Sequence, residues 1–561
     1  FDANDFILFY AKGPHDWVVN AETKTVKHRQ NIYTDKAYYF ITVGNANGKR
    51  IVEKATNTGP VSAQISSFDD FIFYERDELN IIAAGTQWFF NDDFNIENTQ
   101  RVTIPFPNAL ENSTILVKVR GVSTSVASSV MQVKVNGQDF PALNFSPAST
   151  TEKARTSEKT AELTNSSEAV KIDLNYNNNG NPSAKAYLDY IEIIGKKTLR
   201  ATTKQFSFRS FDQFDATGTV AYQIKNAAAI FQVWDVSTFS TPTLIKNEAT
   251  GADFLFKDSG ASLKEYMVIN EFDFYIPETI ENAKVVNQNL QALKDLNYIL
   301  ISTAALASEA QRLADYHQIN SGFTTKVVLL DEIYNEFSSG AKDITGIRDF
   351  IKHLYTNNSS EDKKLKYVCF FGDGSFDYKD RITGNNNVIP VKLSENSFNL
   401  ANSWVTDDFF VMLGENDGNM NTSDTIEVVS SRIPVTGSAQ AKDVVDKILS
   451  YYSGNALGDW RNTITLLADD IDDRFDIQIQ KGVEVIADEI KINKPIFNIN
   501  KIYADAYVQQ NAAGGERYPE VNEAITNAIE KGTLVLDYFG HGGEDGFASE
   551  RILEKPQIQR F

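Results

Sequence analysis

The residue with the most evident chemistry in this sequence is a histidine enclosed by glycines, directly after an apolar run: Leu534-Val535-Leu536-Asp537-Tyr538-Phe539-Gly540-His541-Gly542-Gly543-Glu544-Asp545. An imidazole in that place can take a proton from a thiol near neutral pH, and the glycines let a substrate approach the backbone. The Gly542 amide can face a developing oxyanion. The competing reading is a structural histidine in a glycine-rich turn. The chain has a single cysteine, Cys369, in Tyr367-Val368-Cys369-Phe370-Phe371-Gly372-Asp373-Gly374-Ser375. It sits inside a predicted strand, roughly 10 Å short of the sheet edge at Gly372 given the rise per strand residue, and reads as a buried structural thiol. Ser375 lies nearer the edge but lacks the Gly-x-Ser-x-Gly elbow, so a serine hydrolase using Ser375 and His541 is a weaker alternative.

The remaining histidines, His15, His28, His317 and His353, fall in β-rich or helical segments and read as structural. None has the His-Glu-x-x-His spacing of a zinc peptidase. Acids gather in Thr406-Asp407-Asp408-Phe409-Phe410 and in the following Glu415-Asn416-Asp417-Gly418 and Asp424. They could orient the histidine, bind a basic substrate group or hold Ca²⁺, with Asp417 and Asp424 as calcium candidates on a partial match to an EF-hand loop. A solvated acidic loop is the plain alternative.

These groups need a scaffold, and the sequence predicts one in two halves. Short alternating aromatic and β-branched segments with Asn/Gly turns run through residues 1–195, among them Ala37 to Val43, Thr114 to Val119, Val130 to Val135 and Tyr187 to Ile194, and predict a β-sandwich or jelly roll. Residues 196–282 continue as a smaller β-rich unit. At Ala283 the pattern becomes alternating strands and amphipathic helices, the grammar of a mainly parallel sheet. It restarts after Gly454 to Asp459, giving α/β blocks at 283–455 and 456–561. In such sheets reactive groups collect past the carboxyl ends of strands, which is where His541 stands.

Composition bounds the function. With 561 residues the chain exceeds what one core supports. A formal net charge of −21 opposes binding to nucleic acid, and no apolar run reaches membrane-spanning length. One cysteine excludes an internal disulfide framework and a multi-cysteine zinc site. The chain begins at Phe1 without methionine, so a leader is either removed or outside this sequence, and it ends in a way that reads as an interrupted domain.

Taken together, Phe370-Phe371-Gly372-Asp373-Gly374-Ser375-Phe376-Asp377, Thr406-Asp407-Asp408-Phe409-Phe410, Ser431-Arg432-Ile433-Pro434-Val435, Gly514-Gly515-Glu516-Arg517-Tyr518-Pro519 and Tyr538 to Arg551 resemble the gingipain family of cysteine peptidases. Within it the likeness is to the sortase branch of the type IX secretion system of Bacteroidetes. It extends to Asp5 to Ala11 and Ala37 to Phe40. The resemblance implies all-β amino-terminal domains followed by a caspase-like α/β domain of two subdomains, the second incomplete. It implies an enzyme on the extracellular face of the outer membrane that removes the carboxy-terminal secretion signal of exported cargo. That enzyme joins the cargo to an anionic lipopolysaccharide through a thioester, with an outer-membrane barrel protein as partner. No cofactor is required for that chemistry, and structural Ca²⁺ is possible. His541 is the expected base and Gly542 the oxyanion donor, while Asp407 matches an acidic pocket residue and Glu395 is a candidate to orient the imidazole. The family's nucleophilic cysteine follows the next strand after the His-Gly pair and is not among these residues, so the 561 residues alone are expected to be inactive. The rival class is a non-catalytic scaffold with a degenerate peptidase fold.

Overall fold

The computed structural model describes residues 6–165, 167–280, 284–472, 474, 476–512, 515–543 and 545–561. Asp5, Ala283, Gly514 and Glu544, named above, lie outside the described residues. By internal contacts the chain divides into two units, Phe1–Lys442 and Asp443–Phe561.

The first unit opens with an antiparallel hairpin of Asp16–Asn20 and Thr25–Arg29, which carries His28, and continues with two four-stranded antiparallel sheets. One has the order Arg155–Asn165, Ser113–Ser123, Ala186–Thr198, Ser67–Glu75, and the other Thr99–Pro105, Ala169–Asn177, Ser129–Val135, Gln138–Phe145. Period-two alternation builds the core between them. In Ser129–Val135, Met131, Val133 and Val135 point inward while Gln132 and Lys134 are exposed. Asn136 and Gly137 take φ values of 50° and 79°, the left-handed pair that a tight hairpin requires. A second β unit follows, with Phe208, Tyr222, Phe256 and Tyr266 in its core. Its sheets recruit strands from much earlier in the chain: Val61–Ile65 pairs in parallel with Thr219–Ile224, and Val52–Glu53 with Thr243–Ile245.

The segment from Ala37 to Val43 forms no strand, contrary to its alternating pattern. Tyr38 and Phe40 lie over Gly340, whose missing side chain makes room for them, and Ile41 and Val43 stay exposed. Strand propensity expresses fit to a pleated neighbour, and here no neighbouring strand pairs with the segment.

The first α/β sheet is parallel, in the order Thr325–Leu329, Tyr298–Ser302, Tyr367–Phe371, Val429–Ile433. Its inner strands are almost continuously apolar because helices and loops bury both faces. The helix Ile344–Thr356 starts where Asp343 accepts the Thr345 amide at 2.8 Å, and it buries Ile344, Ile347, Phe350, Ile351 and Leu354 at helical spacing. The second unit holds a three-stranded parallel sheet, Asn498–Tyr503, Thr463–Ala468, Val535–Phe539, with the helices Ile477–Asn493 and Pro519–Lys531. Pro519 begins the latter helix, and Gly532 ends it at φ 90°. Among the described residues no helix is long and apolar enough to cross a membrane.

Candidate active site

Two neighbouring strands of the second unit end level with one another. Ala468 pairs with Phe539, so the next residues, Asp469 on one strand and Gly540-His541 on the other, emerge side by side past the carboxyl edge. Asp469 Oδ2 accepts the His541 backbone N–H at 2.8 Å and meets the ring Nδ1 at 3.1 Å. A carboxylate oxygen cannot donate, so Nδ1 carries a proton, and in the neutral ring it is Nε2 that keeps its lone pair. Nε2 lies 4.0 Å from Asp476 Oδ1. The carboxylate side chain is only 3% exposed, whereas the imidazole is 61% exposed. Gly540 is required here, because a Cβ at that position would run into Tyr538 and Asp469. The hydrogen bond that the ring donates to Asp469 raises the His541 pKa above its ordinary value; partial burial opposes this, and the charges of Asp469, Asp476 and Asp472 add to the rise. The Gly542 amide has no hydrogen-bond partner among the described residues, and the space around its Cα is open. A basic imidazole nitrogen, an orienting carboxylate and an unsatisfied backbone donor are the parts that acyl transfer uses.

Residues 291–561 match the model of peptidase family C25. These residues are a C25 peptidase domain. The chain is also similar in structure to dimeric latent PorU from Porphyromonas gingivalis, with a TM-score of 0.67 and 22% sequence identity over 81% of this chain. At that identity the likeness shows a shared fold. The match covers 44% of the PorU chain, so the present sequence spans less than half of that protein's length. A carbohydrate-binding module CBM36 in complex with calcium and xylotriose matches at 17% identity over 22% of this chain and 98% of that one, with a TM-score of 0.15. No curated protein sequence matches.

Elsewhere in the C25 domain the candidate acids have other partners. Asp407 is held by Arg432 in a two-pronged ion pair, Nε to Oδ2 at 2.8 Å and Nη2 to Oδ1 at 2.7 Å. Arg432 Nη1 also donates to the carbonyls of Gly372 and Ile389 at 2.7 and 2.8 Å, so the pair ties the loop carrying Asp407 to the end of the central strand. The Glu395 side chain is exposed, and it is the Glu395 carbonyl that accepts from Gln87 Nε2 at 2.9 Å. Asp417 and Asp424 share one loop. Oδ2 of Asp417 accepts the Gly414 amide at 3.2 Å, and Oδ2 of Asp424 accepts the amides of Gly418 and Asn421 at 3.1 and 3.2 Å. Both carboxylates thus brace turns.

The acid on the His541 ring is Asp469, which sequence reading did not single out. The available signal was its place, immediately after the strand Thr463–Ala468 and before a second acid. Asp469, Asp470 and Glu550 form, among the described residues, the one group whose ligand atoms lie close enough to hold a cation, all within 4.8 Å of one another. Burial raises the pKa values of Asp470 and Glu550, and the Tyr518 hydroxyl donates to Asp470 at 3.0 Å.

Cys369 lies in the middle of its sheet, between Leu300 and Ser431, and is buried. Burial pushes its thiol up to about 11, the opposite of what a nucleophile needs. The Ser375 hydroxyl accepts the Asp377 amide at 3.1 Å and serves a turn.

Proposed function

We propose that this chain is part of a cell-surface cysteine endopeptidase of the type IX secretion system, acting as a PorU-like sortase. It removes the carboxy-terminal secretion signal of exported cargo and transfers the new terminus to an anionic lipopolysaccharide. The observation that carries this reading is the Asp469–His541–Gly542 arrangement in a C25 domain. In the proposed reaction His541 Nε2 takes the proton of a cysteine thiol, and the thiolate attacks the scissile carbonyl. The carbonyl oxygen becomes an oxyanion facing the Gly542 amide. The imidazolium returns its proton to the leaving amine, and a thioester remains. An acceptor nucleophile, deprotonated by the same imidazole, then displaces the thiolate.

Cys369 cannot be that thiol, so the reading assigns the nucleophile to sequence outside these 561 residues. In support, Val535–Phe539 is an edge strand among the described residues, with Val535 44% and Phe539 49% exposed. Strands of parallel sheets are usually covered on both sides, and this edge can accept a further one beside His541. The proposed setting is the extracellular face of the outer membrane, with the barrel protein PorV as partner.

The test replaces His541 by alanine in the full-length protein in its own cells and reads the carboxyl termini of secreted cargo by mass spectrometry. Cargo that keeps its signal and fails to reach lipopolysaccharide supports the proposal. Normal processing by the variant overturns it and leaves a scaffold role.

A further inference from the structure

The peptide unit between His541 and Gly542 is held from one side only. The His541 carbonyl accepts two hydrogen bonds, from the Tyr538 hydroxyl at 2.6 Å and from the Ala548 amide at 2.8 Å. The Gly543 amide reaches the Gly546 carbonyl at 3.0 Å, so Gly542 and Phe547 face each other as a pair that exchanges no hydrogen bond. In such a pair the N–H groups point away from the partner. A trans peptide is planar, with its N–H opposed to its C=O. Whatever fixes the His541 carbonyl therefore aims the Gly542 amide in the opposite direction. The Tyr538 ring is itself clamped, lying flat on Phe547 with centroids 4.3 Å apart and planes 5° apart.

We propose that Tyr538 is a positioning residue for acyl transfer: its hydroxyl, held by the ring stack on Phe547, locks the His541–Gly542 peptide so that the Gly542 amide is preset for the oxyanion. This rests on the functional reading above, because only an oxyanion gives that direction a use. The division of labour follows from the geometry. Asp469 grips the amide and ring of His541 and sets the base, whereas Tyr538 grips the carbonyl and sets the oxyanion donor. Burial and the nearby Asp469 charge keep the hydroxyl protonated, and so able to donate, at any physiological pH.

His541-Gly542 is the only His-Gly pair in the sequence. Labelling histidine carbonyls with ¹³C and glycine nitrogens with ¹⁵N therefore isolates this one peptide in the 561-residue chain. Tyr538→Phe keeps the stacked ring and removes the hydroxyl. It is expected to shift the His541 carbonyl and Gly542 amide resonances and leave the imidazole titration in place. In the full-length enzyme it is expected to lower kcat about tenfold at unchanged KM, less than loss of an oxyanion donor outright. Phe547→Leu, which loosens the clamp and keeps the hydroxyl, is expected to lower kcat by about threefold by the same logic. Unmoved resonances, or kcat within twofold of wild type in both variants, overturn the proposal. So does a loss that follows a changed imidazole pKa. His541→Ala in the same assay separates the two readings: full activity there removes the functional proposal, while the resonance shifts still judge the role of Tyr538 in holding the peptide.

Discussion

Two histidines of this chain each meet carboxylates, and their surroundings turn them to different ends. His28, in the amino-terminal β region, is buried with both ring nitrogens taken: Nδ1 lies 2.6 Å from Glu192 and Nε2 2.7 Å from Glu75. Its ring stacks on Phe73 at 4.9 Å. Burial alone would lower its pKa, but the hydrogen bonds the ring donates to Glu192 and Glu75 outweigh it, and the value rises to about 9. His541 is exposed, with Nδ1 hydrogen-bonded to Asp469 and Nε2 no nearer to a carboxylate than the 4.0 Å to Asp476. The first ring is a fixed cation tying strands together; the second can exchange a proton with a substrate. A carboxylate beside a histidine is therefore no mark of catalysis by itself. An uncommitted nitrogen, access from solvent and a neighbouring unsatisfied donor make the difference.

That contrast can be broken by experiment. The largest effect expected is on turnover: His541→Ala in the full-length enzyme should lower kcat by roughly 10²–10⁴-fold, the usual share of a general base, with unfolding unchanged. His28→Ala should do the converse. The largely buried Glu75 loses its hydrogen-bonded cation and Glu192 is left with Lys118, at 2.7 Å, which costs about 3–5 kcal/mol in denaturant unfolding of the amino-terminal region, while kcat holds. If His28→Ala abolished turnover without loss of stability, the comparison would fail.

Next comes pH. The folded pKa of His28 lies above its unfolded value, so its contribution is fully present below about pH 6.5 and is lost as pH rises through about 9. On the order of 2–3 kcal/mol should disappear across that window, and a His28→Gln variant should show a flatter slope. Asp469→Asn should bring the His541 titration, followed by NMR, down toward its ordinary value and lower kcat about tenfold or somewhat more. The smallest effect expected is that of Cys369→Ala, about 1 kcal/mol of stability and no change in turnover. The 561-residue chain itself should cleave no peptide in a thiol-dependent manner.

Much of the α/β half is legible in sequence because its signals are local. Tyr298–Ser302, Ile344–Thr356, Thr463–Ala468 and Pro519–Lys531 begin and end where apolar period, caps and proline say they should. The helix Leu330–Phe337 escapes this reading because it follows the strand Thr325–Leu329 without a turn, with Glu332 accepting the Leu329 amide at the junction. The place of His541 past an apolar strand is equally local. Its acid is not: Asp469 stands 72 residues earlier and arrives only through the register of two parallel strands, which no single segment encodes. The family likeness pointed instead to Glu395 as the orienting acid, whose side chain is exposed, while Asp407, matched to an acidic pocket residue, is committed to Arg432.

The amino-terminal segment that leaves the His28 hairpin has a kinetic consequence. Ile32 and Tyr33 pack against the core of the first α/β sheet, and Asp35 pairs with Lys379 at 2.5 Å across 344 residues of sequence. The α/β core can assemble from near neighbours, whereas this early segment must wait for residues made much later. Closing so long a loop is a late event in folding. During synthesis, Ile32, Tyr33 and Asp35 thus emerge long before the residues they pack against and are among the late ones to find their places.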